Sequence, residues 1–203
     1  MVLVPVDPVG VGRLFAQASM SISLFEILPA IAAYFERHGR AFDARALAAA
    51  VVSPDVRPLF EGLFGARRVT HEVYAHAMGT LRPQMQSAYR DCFVEHGIEA
   101  LIFPTTPLPA SSIGEDDTVM LCGEPVPTFD TYIRNTGPAG MAGLPSISLP
   151  AGPTDGGLPV GLELDGPAGA DLRLLAIGRA IETVLPVTAP APTARWMPRP
   201  ERA

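Results

Sequence analysis

The chain contains no lysine; all fifteen of its basic residues are arginine. That absence excludes Schiff-base chemistry, a Ser–Lys nucleophile pair and the phosphate-cradling lysine of a P-loop from these 203 residues. Arginine cannot take over as a base, because its guanidinium stays protonated at any working pH. Cysteine is almost as scarce. Cys92 and Cys122 are the only two, without CxxC spacing or metal-type neighbours, which fits free thiols in a reducing cytoplasm. Charged residues make up 18%, below the roughly 25% usual for soluble domains. The net charge of −6 gives no basic patch for nucleic acid. The longest apolar stretch, Ile22 to Phe35, is interrupted by Glu26 and Pro29 and reads as too short for a bilayer span. No basic n-region precedes it, so no signal peptide is expected, and no membrane partner.

What is abundant is apolar and conformationally restrictive: 48% hydrophobic residues, 22 prolines and 19 glycines. The Ala-rich composition explains much of the first figure. A covering partner chain or segment is the other explanation. Val2–Val6 (VLVPV) predicts a short strand. Apolar periodicity from about Val11 to His38 predicts a helix that Pro29 kinks or splits, closed by His38-Gly39. Asp43 suits the cap of a short helix reaching about Val52, and Ser53-Pro54 a second helix start with Val56, Leu59, Phe60 and Leu63 inward. Val73, Ala77, Leu81, Met85, Tyr89 and Cys92 draw one stripe along a helix from Thr70 to His96, with Pro83 as a defect. Ala100–Phe103 predicts a buried strand stopped by Pro104. Beyond it come a hairpin around Gly123-Glu124-Pro125, strands at Ser146–Leu149 and Val160–Leu164, and a helix from Asp171 to Leu185. Residues 1–185 therefore read as one α/β region with a helical first half, and 186–203 as a Pro-rich tail, extended or disordered.

Few motifs carry chemistry. Gly10-Val11-Gly12 lacks the third glycine of a dinucleotide loop, since Phe15 stands there. His71 and His76 are five apart, about 140° round a helix, which is wrong for paired zinc ligands. No GxSxG elbow occurs. Glu115-Asp116-Asp117 reads as a solvated acidic loop. No metal site, cofactor or catalytic dyad emerges. Two features invite a ligand. Pro104-Thr105-Thr106-Pro107 follows a buried strand, where α/β folds place ligands, and two hydroxyls between prolines are either a rigid polar wall or a stiff turn. Asn135, the single asparagine, either turns the backbone before a Gly-rich stretch or lines a pocket.

Five blocks in order resemble the C-terminal half of amidase-signature hydrolases: Leu101–Pro107 (LIFPTTP), Thr131–Thr136 (TYIRNT), Gly143–Gly152 (GLPSISLPAG), Gly157–Gly166 (GLPVGLELDG) and Asp171–Glu182. Within that family they are most similar to the indoleacetamide and mandelamide hydrolase branch. The resemblance implies an α/β/α sandwich with a mixed sheet, and hydrolysis of a carboxamide to carboxylate and ammonia by a Ser–cis-Ser–Lys triad with a Gly/Ser-rich oxyanion hole. The family carries that triad in its N-terminal half. Here there is neither Lys nor a GGSSGG-like run, and Ser111-Ser112 lacks the flanking glycines, so no catalytic residue carries over. The implied substrate-binding residues are Pro104, Thr105, Thr106, Pro107, Ile133, Asn135 and Thr136. The implied partners are a small amide, of aryl-acetamide or mandelamide type, and the N-terminal catalytic half; self-association is left open. The opening VLVPVD is similar to an interior strand of relatives. A fold cut there would expose a sheet edge. Cys122-Gly123 stands where relatives often have Asn-Gly, a structural departure. The rival reading is a non-catalytic remnant or interaction subunit.

Overall fold

In a computed structural model of the chain, residues 2–185 are described; the Pro-rich tail lies outside them. The order is eight α-helices and five strands, helical first and mixed thereafter. Helix α1 spans Val11–Arg37 without interruption. Pro29 sits inside it and exposed, so the helix is neither split nor stopped there. Its 27 residues have a mean hydropathy of 1.5 over the most apolar window, enough by length and composition to cross a membrane. It is therefore longer than the interrupted stretch suggested. Yet Val11, Leu14, Phe15, Ala18 and Ile22 form a buried stripe packed into the protein core, a role that length and composition serve equally well.

Asp43 caps α2 (Ala44–Ala50), accepting from the amides of Arg45 and Ala46. The next helix, α3 (Arg57–Gly62), starts later than Ser53-Pro54 suggested. The Ser53 hydroxyl is used on Asp55 Oδ1, which also accepts from the Val56 amide. That local turn takes the place of a first helical turn, and Pro58 becomes the early proline. Of the expected inward residues only Leu63 is fully buried. Thr70 caps α4 (His71–His76), which runs through a π-helical turn, Ala77–Leu81, into α5 (Arg82–His96). The π turn is the physical outcome of Pro83: its ring crowds the carbonyl four residues back, at Gly79, and widening the helix there relieves the crowding. The predicted stripe holds at Ala77, Met85, Tyr89 and Cys92, all buried, while Val73 is exposed.

Strands β1 (Leu101–Pro104), β4 (Ser146–Pro153) and β5 (Pro159–Asp165) form one sheet in the order β1-β5-β4. A mixed sheet was implied; both pairings here are antiparallel. Strands β2 (Thr118–Leu121) and β3 (Glu124–Pro127) make a separate hairpin. Its turn is Cys122-Gly123, not Gly123–Pro125, because Glu124 and Pro125 are already paired. Both turn residues have positive φ, 52° and 87°, as a two-residue hairpin of matching twist requires. Cys122 pays the Cβ strain that Asn bears more easily at this position. The short helices α6 (Thr128–Ile133) and α7 (Thr136–Ala142) lead into β4, and α8 (Asp171–Glu182) follows β5. Val2–Val6, predicted as a strand, is not one: none of its backbone groups bonds to other backbone among the described residues.

The sheet is covered on both sides. Ile102, Leu164 and Ile147 are cross-strand neighbours on one face, as are Leu162 and Leu149, and α8 covers them with Leu174, Ile177 and Ile181. On the other face Leu101 and Phe103 meet α1, α5 and α7 through Phe15, Met85, Tyr89 and Ala139. This is an α/β/α arrangement. Gly137 is where α7 crosses α1: a Cβ there would lie 2.2 Å from the Phe15 ring, whereas one at Gly140 meets nothing within 4 Å. Gly137→Ala is therefore expected to destabilise the chain by about 1–3 kcal/mol through overpacking. Gly140→Ala, at an unstrained helical site, is expected to stabilise it by about 0.4–1 kcal/mol. Paired denaturant titrations check the opposite signs.

Candidate functional site

The α1-facing side of the sheet carries the polar residues. Alternation places Leu101, Phe103 and Thr105 on it from the first strand, Asp165, Glu163 and Gly161 from the central one, and Ser146 and Ser148 from the last. Thr105 prolongs the pairing beyond β1, its amide donating to Gly161 O at 2.9 Å. Its hydroxyl meets the Ser148 hydroxyl at 2.6 Å, spanning the central strand. Only glycine fits beneath that bridge, since a Cβ on Gly161 would sit 2.5 Å from Thr105 Oγ1 and 2.7 Å from Ser148 Oγ.

The Pro-Thr-Thr-Pro loop is thus a braced turn. Thr106 Oγ1 donates to Leu108 O at 2.7 Å, closing the loop on itself. Asn135 Nδ2 donates to Pro104 O at 2.8 Å and ties the α6–α7 junction to the end of β1. Asn135 makes no side-chain cap on α7. It both fixes this turn and lines a pocket, so its two readings coincide.

That pocket is a cleft of about 640 Å³. Its walls are Val11, Phe15 and Ser19 of α1, Tyr89 of α5, Leu101 and Phe103 of β1, and Ile133 and Asn135. Of the seven residues singled out in the sequence, Ile133 and Asn135 line it. Pro104 reaches its rim through the carbonyl that Asn135 holds. Thr105, Thr106, Pro107 and Thr136 do not line it. The α1 wall was not anticipated, because an apolar helix stripe reads as core and nothing in it signals a cavity.

Glu163 and Asp165 were also missed. They alternate with apolar residues, which in a strand reads as an outward polar face. Here that face is covered, and the two are 3% and 0% exposed. Asp165 Oδ1 accepts from Ser146 Oγ at 2.6 Å, while Asp165 Oδ2 and Glu163 Oε2 have no hydrogen-bond partner among the described residues. Burial, then the charge of Asp165, pushes the Glu163 carboxyl up to about 7. Burial raises Asp165 as well, opposed by the Ser146 hydroxyl. Tyr89 is raised by burial and next by these two carboxylates, which places its phenol between the cleft and the acidic pair. Burial likewise raises the Cys92 thiol, leaving it an unreactive core residue. Among the described residues no group of three or more His, Cys, Asp or Glu stands close enough to hold a metal.

A family model described as Amidase matches residues 16–175, most of both halves of the fold. The chain belongs to the amidase family. It is 39% identical over 168 residues to an indoleacetamide hydrolase of Agrobacterium vitis, covering 83% of this chain and 36% of that protein. It is 36% identical over 180 residues to a mandelamide hydrolase of Pseudomonas putida, covering 82% of this chain and 34% of the relative. The matched region is the C-terminal part of these relatives, so the chain spans about a third of their length. Among solved structures, a crystal structure of an amidase superposes with a TM-score of 0.64 at 24% identity, over 88% of this chain and 36% of that one. A 6-aminohexanoate cyclic dimer hydrolase gives 0.63 at 25% identity, over 91% and 38%. The α/β fold is thus that of amidase-signature enzymes.

The acidic pair sets a pH dependence. A carboxyl whose folded pKa lies above its unfolded value favours folding while protonated. Its contribution declines as pH rises from the unfolded value, 4.5, through the folded one, about 7. The loss from Glu163 is on the order of 3 kcal/mol. Stability from urea titrations is expected to fall between pH 5 and pH 8, and Glu163→Gln to flatten most of that slope, leaving the smaller Asp165 share.

Proposed function

We propose that this chain is the pocket-forming C-terminal portion of a carboxamide hydrolase, acting in the cytoplasm on an aryl-acetamide or mandelamide-type substrate. The observation that carries this is the 39% identity to an indoleacetamide hydrolase over 83% of the chain but only 36% of that enzyme. Lysine, required by the family's triad, is absent, so the nucleophile system belongs to a separate N-terminal half. That half supplies the attack on the amide carbonyl, giving an acyl-enzyme and ammonia, and water then releases the acid. The cleft walled by Phe15, Phe103 and Ile133 has the apolar, ring-lined character that an aryl group needs. Asn135 holds the mouth of that cleft at fixed width through its bond to the Pro104 carbonyl.

The experiment is reconstitution. The chain is assayed for ammonia release from indoleacetamide, phenylacetamide and mandelamide, alone and together with the N-terminal portion of the Agrobacterium vitis enzyme. The chain alone is expected to be inactive and the pair active. Activity that stays with the chain through purification overturns the division of labour. Stable association without turnover of any carboxamide favours the rival, a non-catalytic interaction subunit. In the active pair, Asn135→Ala frees the loop and is expected to raise KM about tenfold, the equivalent of one lost hydrogen bond, with kcat little changed.

A further inference from the structure

A second cavity lies on the opposite side of β1 from its sheet partner. This groove has a volume of about 780 Å³ and is bounded by Val2–Val6 on one bank and Gly97–Ile102 on the other. Its floor is apolar, formed by Leu164, Ile177, Ile181 and Val184. Both banks are extended backbone with unused hydrogen-bonding groups. Antiparallel strands bond through alternate residues. Thr105 bonds to Gly161, so Phe103 and Leu101 face β5, while the amide and carbonyl of Ile102 point to the open edge. Val2–Val6 has the sequence of a strand and bonds to no other backbone among the described residues. Two strand-like segments with free backbone, separated by an apolar groove, define the place of one absent strand.

We propose that this groove is the docking site for a β-strand of the N-terminal amidase half, inserted between Val2–Val6 and β1. The assignment rests on the proposed function for the partner's identity, and on the groove for its location. The partner's size agrees: about two thirds of the length of the curated relatives lies outside the matched region. Two other occupants fit less well. The tail, residues 186–203, carries prolines at 186, 190, 192, 198 and 200, and proline has no N–H to give a ladder. A second copy would offer the same unfinished groove and leave its own open. The insertion satisfies the Ile102 and Val2–Val6 backbone and covers Val2, Leu3 and Val4, now 87%, 66% and 48% exposed. The long helical connection from Val6 to β1 is of the kind that returns a chain to the same sheet.

The test uses the 203-residue chain and the N-terminal portion of the Agrobacterium vitis indoleacetamide hydrolase. Affinity is read by titration calorimetry, and amide exchange at Val2–Val6 and Ile102 by mass spectrometry. Association is expected to slow exchange at these amides at least 100-fold. Val184→Glu and Val4→Asp, both at exposed groove positions, are expected to weaken binding at least tenfold. Leu172→Glu, exposed on α8 outside the groove, is expected to leave it unchanged. Binding without protection of these amides, binding indifferent to Val184→Glu, or no binding overturns the site. Protection already present in the chain alone overturns it too: if lost on deleting 186–203 the tail is the occupant, and if concentration-dependent a second copy is. Protected amides in a complex that turns over no carboxamide would instead refute the hydrolase reading and leave the docking site standing.

Discussion

The C-terminal half of the molecule is organised by one strand that is hydrogen-bonded on both sides. β5 meets β1 along one flank and β4 along the other, and its alternation divides the protein's chemistry. Leu162 and Leu164 point to α8 and make an apolar core. Gly161, Glu163 and Asp165 point to the helical layer and make a polar one. Substituting Gly161 would force the Thr105–Ser148 bridge apart, and with it the loop that Asn135 holds at the cleft mouth. A strand that is central, half apolar and half ionisable is costly alone, because buried carboxyl oxygens without partners oppose folding. Its place in the sheet is fixed well enough to bear that cost.

Much of the fold was legible in the sequence. The helix ends at His38-Gly39 and His96-Gly97 were readable because glycine with positive φ closes a helix, and both adopt it. Asp43 and Thr70 were readable as caps or starts for the same local reason. What failed was decided by context. Pro29 looked like a break, but a helix held along one face by Phe15, Ala18 and Ile22 tolerates one missing donor on its exposed side. Ser53-Pro54 looked like a helix start, but Asp55 captured the serine. Val2–Val6 looked like a strand and has strand sequence, but a strand exists only when something pairs with it.

The site divided in a similar way. Ile133 and Asn135 could be named because a resemblance of sequence blocks marked them. The hydroxyls of Thr105 and Thr106 were visible as residues, but their directions depend on Ser148 and Leu108, which no spacing rule connects to them. Glu163 and Asp165 were hidden by the rule that alternating polar residues face water. Their burial follows from α5 and α7 lying across that face, a tertiary fact with no local signal.

The path of α1 bears on the protein's synthesis. Its apolar stripe, Val11 to Ile22, is finished by Met85 and Tyr89 on α5 and by Ala139 on α7, residues translated far later. At about 5–20 residues per second, Ile22 leads Ala139 by roughly 6–25 s on the ribosome. During that interval a 27-residue helix of membrane-like hydropathy has no permanent partner. The nascent chain must therefore spend those seconds either in transient contacts of its own or in the keeping of a chaperone. Slow-codon or chaperone-depletion conditions should act on this protein through α1 before they act through any other element described here.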